Sequence, residues 1–174
     1  YKDFVNNPFA QYNNYYNRYG INPYIALDNW RRSGKDQNLV TSLDLKLAAT
    51  EWLDLNYRAA MTYQTTVAQS NQKRLVVTPY GSKRGIDNVP QAVSNGTYVG
   101  NRLSSEFFAN FHKQFGDFKV NFLAGTYVRD VASRSTGVNA SNLIIEGLFN
   151  VSARPGELGG YSNESHTRLF SLYG

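Results

Sequence analysis

The stretch from Leu103 to Arg129 reads LSSEFFANFHKQFGDFKVNFLAGTYVR, and its alternation decides the fold. Up to Phe115, Leu103, Ser105, Phe107, Ala109 and Phe111 share one parity. Glu106, Asn110, His112 and Gln114 take the other, with Phe108 out of pattern. Gly116-Asp117 then offers a two-residue hairpin, glycine supplying the positive φ that a primed turn needs. On the return, Phe118, Val120, Phe122, Ala124 and Val128 oppose Lys119, Asn121, Gly125, Tyr127 and Arg129. Side chains of a strand point to alternate faces, so this is a β-hairpin with one apolar and one polar face.

The same unit occurs upstream. Leu39, Thr41, Leu43, Leu45 and Leu47 alternate with Val40, Ser42, Asp44 and Lys46. After a short turn around Ala49-Thr50-Glu51-Trp52, Leu53, Leu55, Tyr57, Ala59, Met61 and Tyr63 alternate with Asp54, Asn56, Arg58, Ala60, Thr62 and Gln64. A fifth strand is expected to begin near Thr167. The intervening stretches, Thr65 to Arg102 and Asp130 to Thr167, are expected as loops, as are residues 1–37. They far exceed the usual connection of about 4–6 residues. The expected fold class is therefore all-β. Short turns at one end and long loops at the other give an antiparallel up-and-down sheet, laid out like a segment of a transmembrane β-barrel with short periplasmic turns and long extracellular loops.

Lipid offers no hydrogen bonds, so a spanning sheet must pair every amide and turn apolar side chains outward. The polar parity carries Asp44, Lys46, Asp54, Asn56, Arg58, Glu106, Asn110, Lys119 and Asn121, which are expected to face a lumen. Lys113 alone puts a charge on the apolar parity, two residues from a turn, where its stem can carry the charge to the interface. Trp52, Phe115 and Phe118 gather at the short-turn ends, where an aromatic girdle is expected. The alternative from another class is a surface-exposed or soluble β-sandwich binding carbohydrate. Leu43, Leu45, Leu55, Tyr57 and Phe122 separate the two: exposed in a barrel, packed against a second sheet in a sandwich.

Composition narrows the functions. The 174 residues include 13 Tyr, 10 Phe and 2 Trp, too aromatic for a disordered tail. No run of about 18 apolar residues could form a spanning helix. With no cysteine, disulfides, thiolate-bound metals and a cysteine nucleophile are excluded. The net charge of +5 is scattered, and no nucleic-acid partner is expected. His112 and His166 have no partners at metal-ligand or triad spacing, so no catalytic residue, metal or cofactor is expected and the chain is read as no enzyme. Four Asn-X-Ser/Thr triplets, at Asn95, Asn139, Asn150 and Asn163, are expected unmodified, and Gly81-Ser82-Lys83-Arg84-Gly85 is read as an exposed turn.

Several stretches carry a family likeness. Asn22-Pro23-Tyr24-Ile25-Ala26-Leu27-Asp28-Asn29, the strand ending Ala49-Thr50-Glu51-Trp52-Leu53-Asp54-Leu55, the hairpin Phe111 to Asn121, the run Leu143-Ile144-Ile145-Glu146-Gly147-Leu148-Phe149-Asn150 and the ending Arg168 to Gly174 together resemble the barrel of SusC/RagA-like TonB-dependent transporters of Bacteroidota. The resemblance covers nearly the whole chain and rests on order and spacing. It implies an outer-membrane location, roughly 22 strands around a plug, and import of glycans or peptides. Its implied partners are a SusD-like surface lipoprotein, the TonB complex, outer-membrane lipid and the substrate. Residues 1–174 then form a partial barrel domain of about five strands and three long loops. The plug and TonB-contacting segment are missing from it, and both ends look cut.

Tyr15, Tyr16, Tyr24, Trp30 and Tyr80 are the candidates for touching substrate or lid. Their rings offer stacking faces in the expected loops, although the same residues also serve as loop packing.

Overall fold

The computed structural model describes residues 16–17, 20–21, 23–77, 79–83, 85 and 87–174. Its main feature is a five-stranded antiparallel sheet with the strands in chain order. They are β3 (Trp30–Thr50), β4 (Leu53–Gln72), β5 (Ala92–Phe115), β6 (Phe118–Ser141) and β7 (Gly159–Tyr173). Before them lie β1 (Tyr16–Asn17) and β2 (Gly20–Ile21), paired with each other, and the helix α1 (Pro23–Asn29). A four-residue helix α2 (Pro79–Ser82) and a 3-10 turn at Val151–Ala153 complete the regular structure. The sheet does not close among the described residues: β3 and β7 are its edges.

The minimal turns fall where the sequence places them. Glu51 and Trp52 join β3 to β4, with the Trp52 amide donating to Thr50 Oγ1 at 3.3 Å. Gly116 and Asp117 join β5 to β6, and Gly116 has a φ of 58°. An L-residue would be strained there, so glycine sets the register of the hairpin.

The strands run much further than the alternation suggested. β4 continues to Gln72, β5 starts at Ala92, β6 reaches Ser141 and β7 begins at Gly159 rather than near Thr167. β3 starts at Trp30, inside the stretch expected as a loop. The connections thus shrink to residues 73–91 and 142–158. The physical reason is that backbone pairing needs no apolar face. Segments such as Gln69-Ser70-Asn71-Gln72 and Ser94-Asn95-Gly96-Thr97 keep the ladder while losing the period-two signature. The Gly81–Gly85 stretch is helical at its start, in α2, and Gly85 has a φ of 77°.

The chain divides into two compact units. One comprises residues 1–35, 67–97 and 136–161; the other comprises residues 36–66, 98–135 and 162–174. The first has a small core of Val93, Ala140 and Leu143, with Phe149 and Val151 packed on it. Gln91 is 3% exposed and pins the 142–158 connection to this core. Its Nε2 donates to the Ile145 carbonyl at 2.8 Å and its Oε1 accepts from the Gly147 amide at 3.0 Å. Asn150 caps the 3-10 turn by accepting from the Ser152 amide at 2.9 Å and the Ser152 hydroxyl at 2.8 Å. In the 73–91 connection, Leu75 and Val89 exchange backbone hydrogen bonds at 2.9 Å, and Leu75 is buried.

The second unit has no comparable core. Among its described side chains only Phe108 is a buried large hydrophobic group, while Leu43, Leu45, Leu47, Phe107, Val120, Phe122, Phe170 and Leu172 are exposed.

Candidate functional site

The two parities of the second unit are two chemically different faces. On one, five of the polar residues picked from sequence meet in ion pairs. Lys46 Nζ lies 3.1 Å from Asp54 Oδ2. Arg58 bridges two strands, with Nε 3.1 Å from Asp44 Oδ1 and Nη1 3.7 Å from Glu106 Oε2. Tyr173 extends the row by donating from its hydroxyl to Glu106 Oε1 at 2.8 Å. The row thus links β3, β4, β5 and β7 by side chains. Its arginine is 60% exposed, so the ion pairs fix orientation more than they stabilise.

Tyr173 reaches Glu106 because Gly125 leaves room. A Cβ at position 125 would stand 2.6 Å from the Tyr173 ring and 2.7 Å from Phe108 Cβ. Phe108, out of pattern in the sequence, lies on this charged face and is 9% exposed. The Arg58 guanidinium sits 5.1 Å above its ring, a cation–π contact that gives the aromatic group a place among charges.

The other polar-parity residues are not drawn into the row. Asn56 Nδ2 is enclosed without a hydrogen-bond partner among the described residues. Asn110 is half-buried; Lys119 and Asn121 are exposed.

On the opposite face the side chains are apolar and uncovered. Leu43 is 52% exposed and Leu45 55%. Tyr57 and Phe122 are exposed as well, and Leu55 is half-buried. Trp52 stacks on Phe111 at 5.8 Å between ring centroids, and Phe111 lies 6.2 Å from Phe122. Past Val128 this face turns polar. Asp130 accepts from Arg168 Nε at 2.7 Å and lies 2.8 Å from His166 Nε2; Arg134 Nε lies 3.2 Å from Glu164 Oε1. Hydrogen bonds from Arg168 and then His166 hold the Asp130 carboxyl below its ordinary range.

In the first unit, Trp30 is 42% exposed and borders a cleft of about 460 Å³ together with Arg32, Asn71, Val93 and Asn139. A second cleft, about 690 Å³, is lined by Gly34, Ala68, Gly96 and Gly137, with the Tyr161 ring against Gly137. Of the other loop candidates, Tyr15 and the side chains of Tyr16, Tyr24 and Tyr80 lie outside the described residues.

Sequence reasoning passed over Phe108, Tyr173, Tyr161 and Gln91. For Tyr173 and Tyr161 the readable signal is a glycine on the neighbouring strand, at 125 and 137. For Gln91 there is none. Among the described residues no three His, Cys, Asp or Glu side chains are placed to hold a metal. His112 contributes a backbone bond, its amide donating to the Trp52 carbonyl at 2.9 Å.

No protein-family model matches the chain. Nor does any curated protein match it closely enough to assign a family.

Proposed function

We propose that the second unit is the membrane-crossing part of an outer-membrane β-barrel, and that the chain belongs to a TonB-dependent importer of the SusC/RagA kind. One observation carries the reading: a sheet with an uncovered apolar face backed by an ion-paired face, its hairpins closed by minimal turns. In water that apolar face would be a large unfavourable patch. In lipid it is the ordinary outer wall of a barrel. A crossing takes about 9–11 residues per strand. The apolar runs Leu39–Leu47, Leu53–Tyr63, Leu103–Phe111 and Phe118–Val128, with Phe170 and Leu172, match that requirement.

On this reading the row Lys46–Asp54, Asp44–Arg58–Glu106–Tyr173 lines a polar lumen, and the clefts bordered by Trp30 and Tyr161 belong to the substrate path. Glycans or peptides pass along it without bond-making or bond-breaking. A SusD-like lipoprotein serves as lid and the TonB complex supplies energy. The carbohydrate-binding sandwich requires a second sheet over Leu43, Leu45 and Phe122. Among the described residues the only other sheet is the pairing of β1 with β2.

Two experiments test the proposal. Cells making the intact protein are fractionated, and it is expected with the outer membrane, migrating differently in gels before and after heating. Recovery as a soluble protein would overturn the membrane reading. A deletion strain is then grown on panels of glycans and peptides. It should fail on a polymer while growing on that polymer's monomers; unimpaired growth on every polymer would overturn the import reading.

A further inference from the structure

We infer that Lys113 and the rings around it form a seat for the headgroup of an anionic phospholipid. The inference rests on the membrane reading and adds a specific lipid contact to it.

The seat is built by the two short turns. β5 places Phe111, Lys113 and Phe115 on the apolar parity. The hydrogen bond from the His112 amide to the Trp52 carbonyl, 2.9 Å, ties the β3–β4 turn to this part of β5. That brings the Trp52 ring onto Phe111 at 5.8 Å and beside Lys113. The Lys113 ammonium lies 5.8 Å from the Trp52 ring centroid and 5.4 Å from that of Phe115. Phe115 is 58% exposed and Phe118, across the hairpin, 76%.

Lys113 is the one charged residue on the apolar parity in the runs Leu103–Phe115 and Phe118–Val128. Lys46 and Arg58, by contrast, stand on the other face and are paired with carboxylates. No carboxylate among the described residues lies within ion-pair distance of Lys113, although Glu51 and Asp117 stand in the adjoining turns.

An ammonium has three donors, and ring faces offset its charge while filling few of them. A lysine held among exposed rings at the edge of an apolar band therefore lacks an anionic acceptor, and phospholipid phosphate occupies that depth. The exposed Trp52, Phe115 and Phe118 surfaces supply contact for the glycerol and upper acyl carbons. A free phosphate ion could use only the ammonium, so the occupant is a lipid.

The test uses the intact protein in nanodiscs containing equal amounts of phosphatidylglycerol and phosphatidylcholine. Native mass spectrometry reads the lipids retained after release. The wild type should retain phosphatidylglycerol in preference. Lys113→Gln should lower that preference about fivefold, and Lys113→Arg should restore it. An inserted Lys113→Gln protein with the wild-type preference overturns this inference alone. A protein that does not enter nanodiscs overturns both it and the membrane reading. Loss of the preference on adding excess inorganic phosphate at constant ionic strength would assign a free-anion site and overturn the lipid seat.

Discussion

Replacing Leu45 with arginine separates a lipid-facing sheet from a water-facing one more sharply than any other single change. Leu45 lies in β3 on the uncovered face, 55% exposed, flanked on that parity by Leu43 and Leu47. From Leu45 to the end of β3 at Thr50 the strand rises about 3.3 Å per residue, which at a tilt of about 40° puts Leu45 about 13 Å from the turn. That is the middle of an apolar band about 25 Å tall, where arginine costs about 2–4 kcal/mol. At a water-exposed position the same change stays within about 0.5 kcal/mol. The two environments therefore differ by several-fold in predicted effect. The assay is equilibrium unfolding of the intact protein from phospholipid vesicles, followed by tryptophan fluorescence. Asn121→Arg, on the charged parity of β6, serves as control. Leu45→Arg is expected to destabilise by about 2–4 kcal/mol and Asn121→Arg by less than about 1 kcal/mol. A Leu45→Arg protein within about 0.5 kcal/mol of wild type would refute the reasoning.

Three further outcomes follow from other contacts. Gln91→Ala removes the acceptor of the Gly147 amide and the donor to Ile145, so hydrogen exchange at Gly147 should speed up by about 5- to 150-fold, the equivalent of about 1–3 kcal/mol; unchanged exchange would mean that the connection is held elsewhere. Gly125→Val drives a side chain into Tyr173 and Phe108, with an expected loss of about 1–3 kcal/mol measured by denaturant midpoint, and an unchanged midpoint would contradict the packing. Asp130 lies outside the proposed crossing segments, and its carboxyl is held low by Arg168 and His166. Its contribution is therefore present above the unfolded carboxylate value of about 3.9 and lost as pH falls through the lower folded value. Asp130→Asn should be less stable than wild type at neutral pH, with the gap closing in acid; a gap that widens in acid would reverse the assignment.

The sheet was legible in the sequence where its two faces differ. Leu39 to Leu47 and Phe118 to Arg129 alternate because one side is apolar, and Gly116 announces the turn between β5 and β6. Beyond those runs the strands continue with polar residues on both parities, as at Gln69 and Asn95, whose side chains hydrogen-bond at 3.0 Å. A ladder built from backbone groups leaves no side-chain signature there, so those stretches read as loops. Phe108 failed the pattern for a different reason. Its ring lies under the Arg58 guanidinium and its Cβ packs where a side chain at Gly125 would stand, a tertiary arrangement no local spacing encodes. The ion-pair row was legible only as a set of polar positions. Which of them meet depends on register: Asp44, Lys46, Asp54, Arg58 and Glu106 do, while Lys119 and Asn121 do not enter the row. Gln91 had no signal, because a glutamine before a strand is ordinary until the connection it holds is seen to return.

The central claim is that alternate residues of one strand meet lipid and water. These 174 residues have no cysteine, so single cysteines can be placed along β6 from Phe118 to Val128 and spin-labelled once any cysteine elsewhere in the intact protein has been replaced. Accessibility to oxygen, which concentrates in hydrocarbon, is compared with accessibility to a water-soluble nickel chelate, using the intact protein in vesicles. Oxygen accessibility should peak at positions 118, 120, 122, 124, 126 and 128, with nickel accessibility peaking at the positions between. Nickel accessibility at every position, with no period of two, would contradict the account.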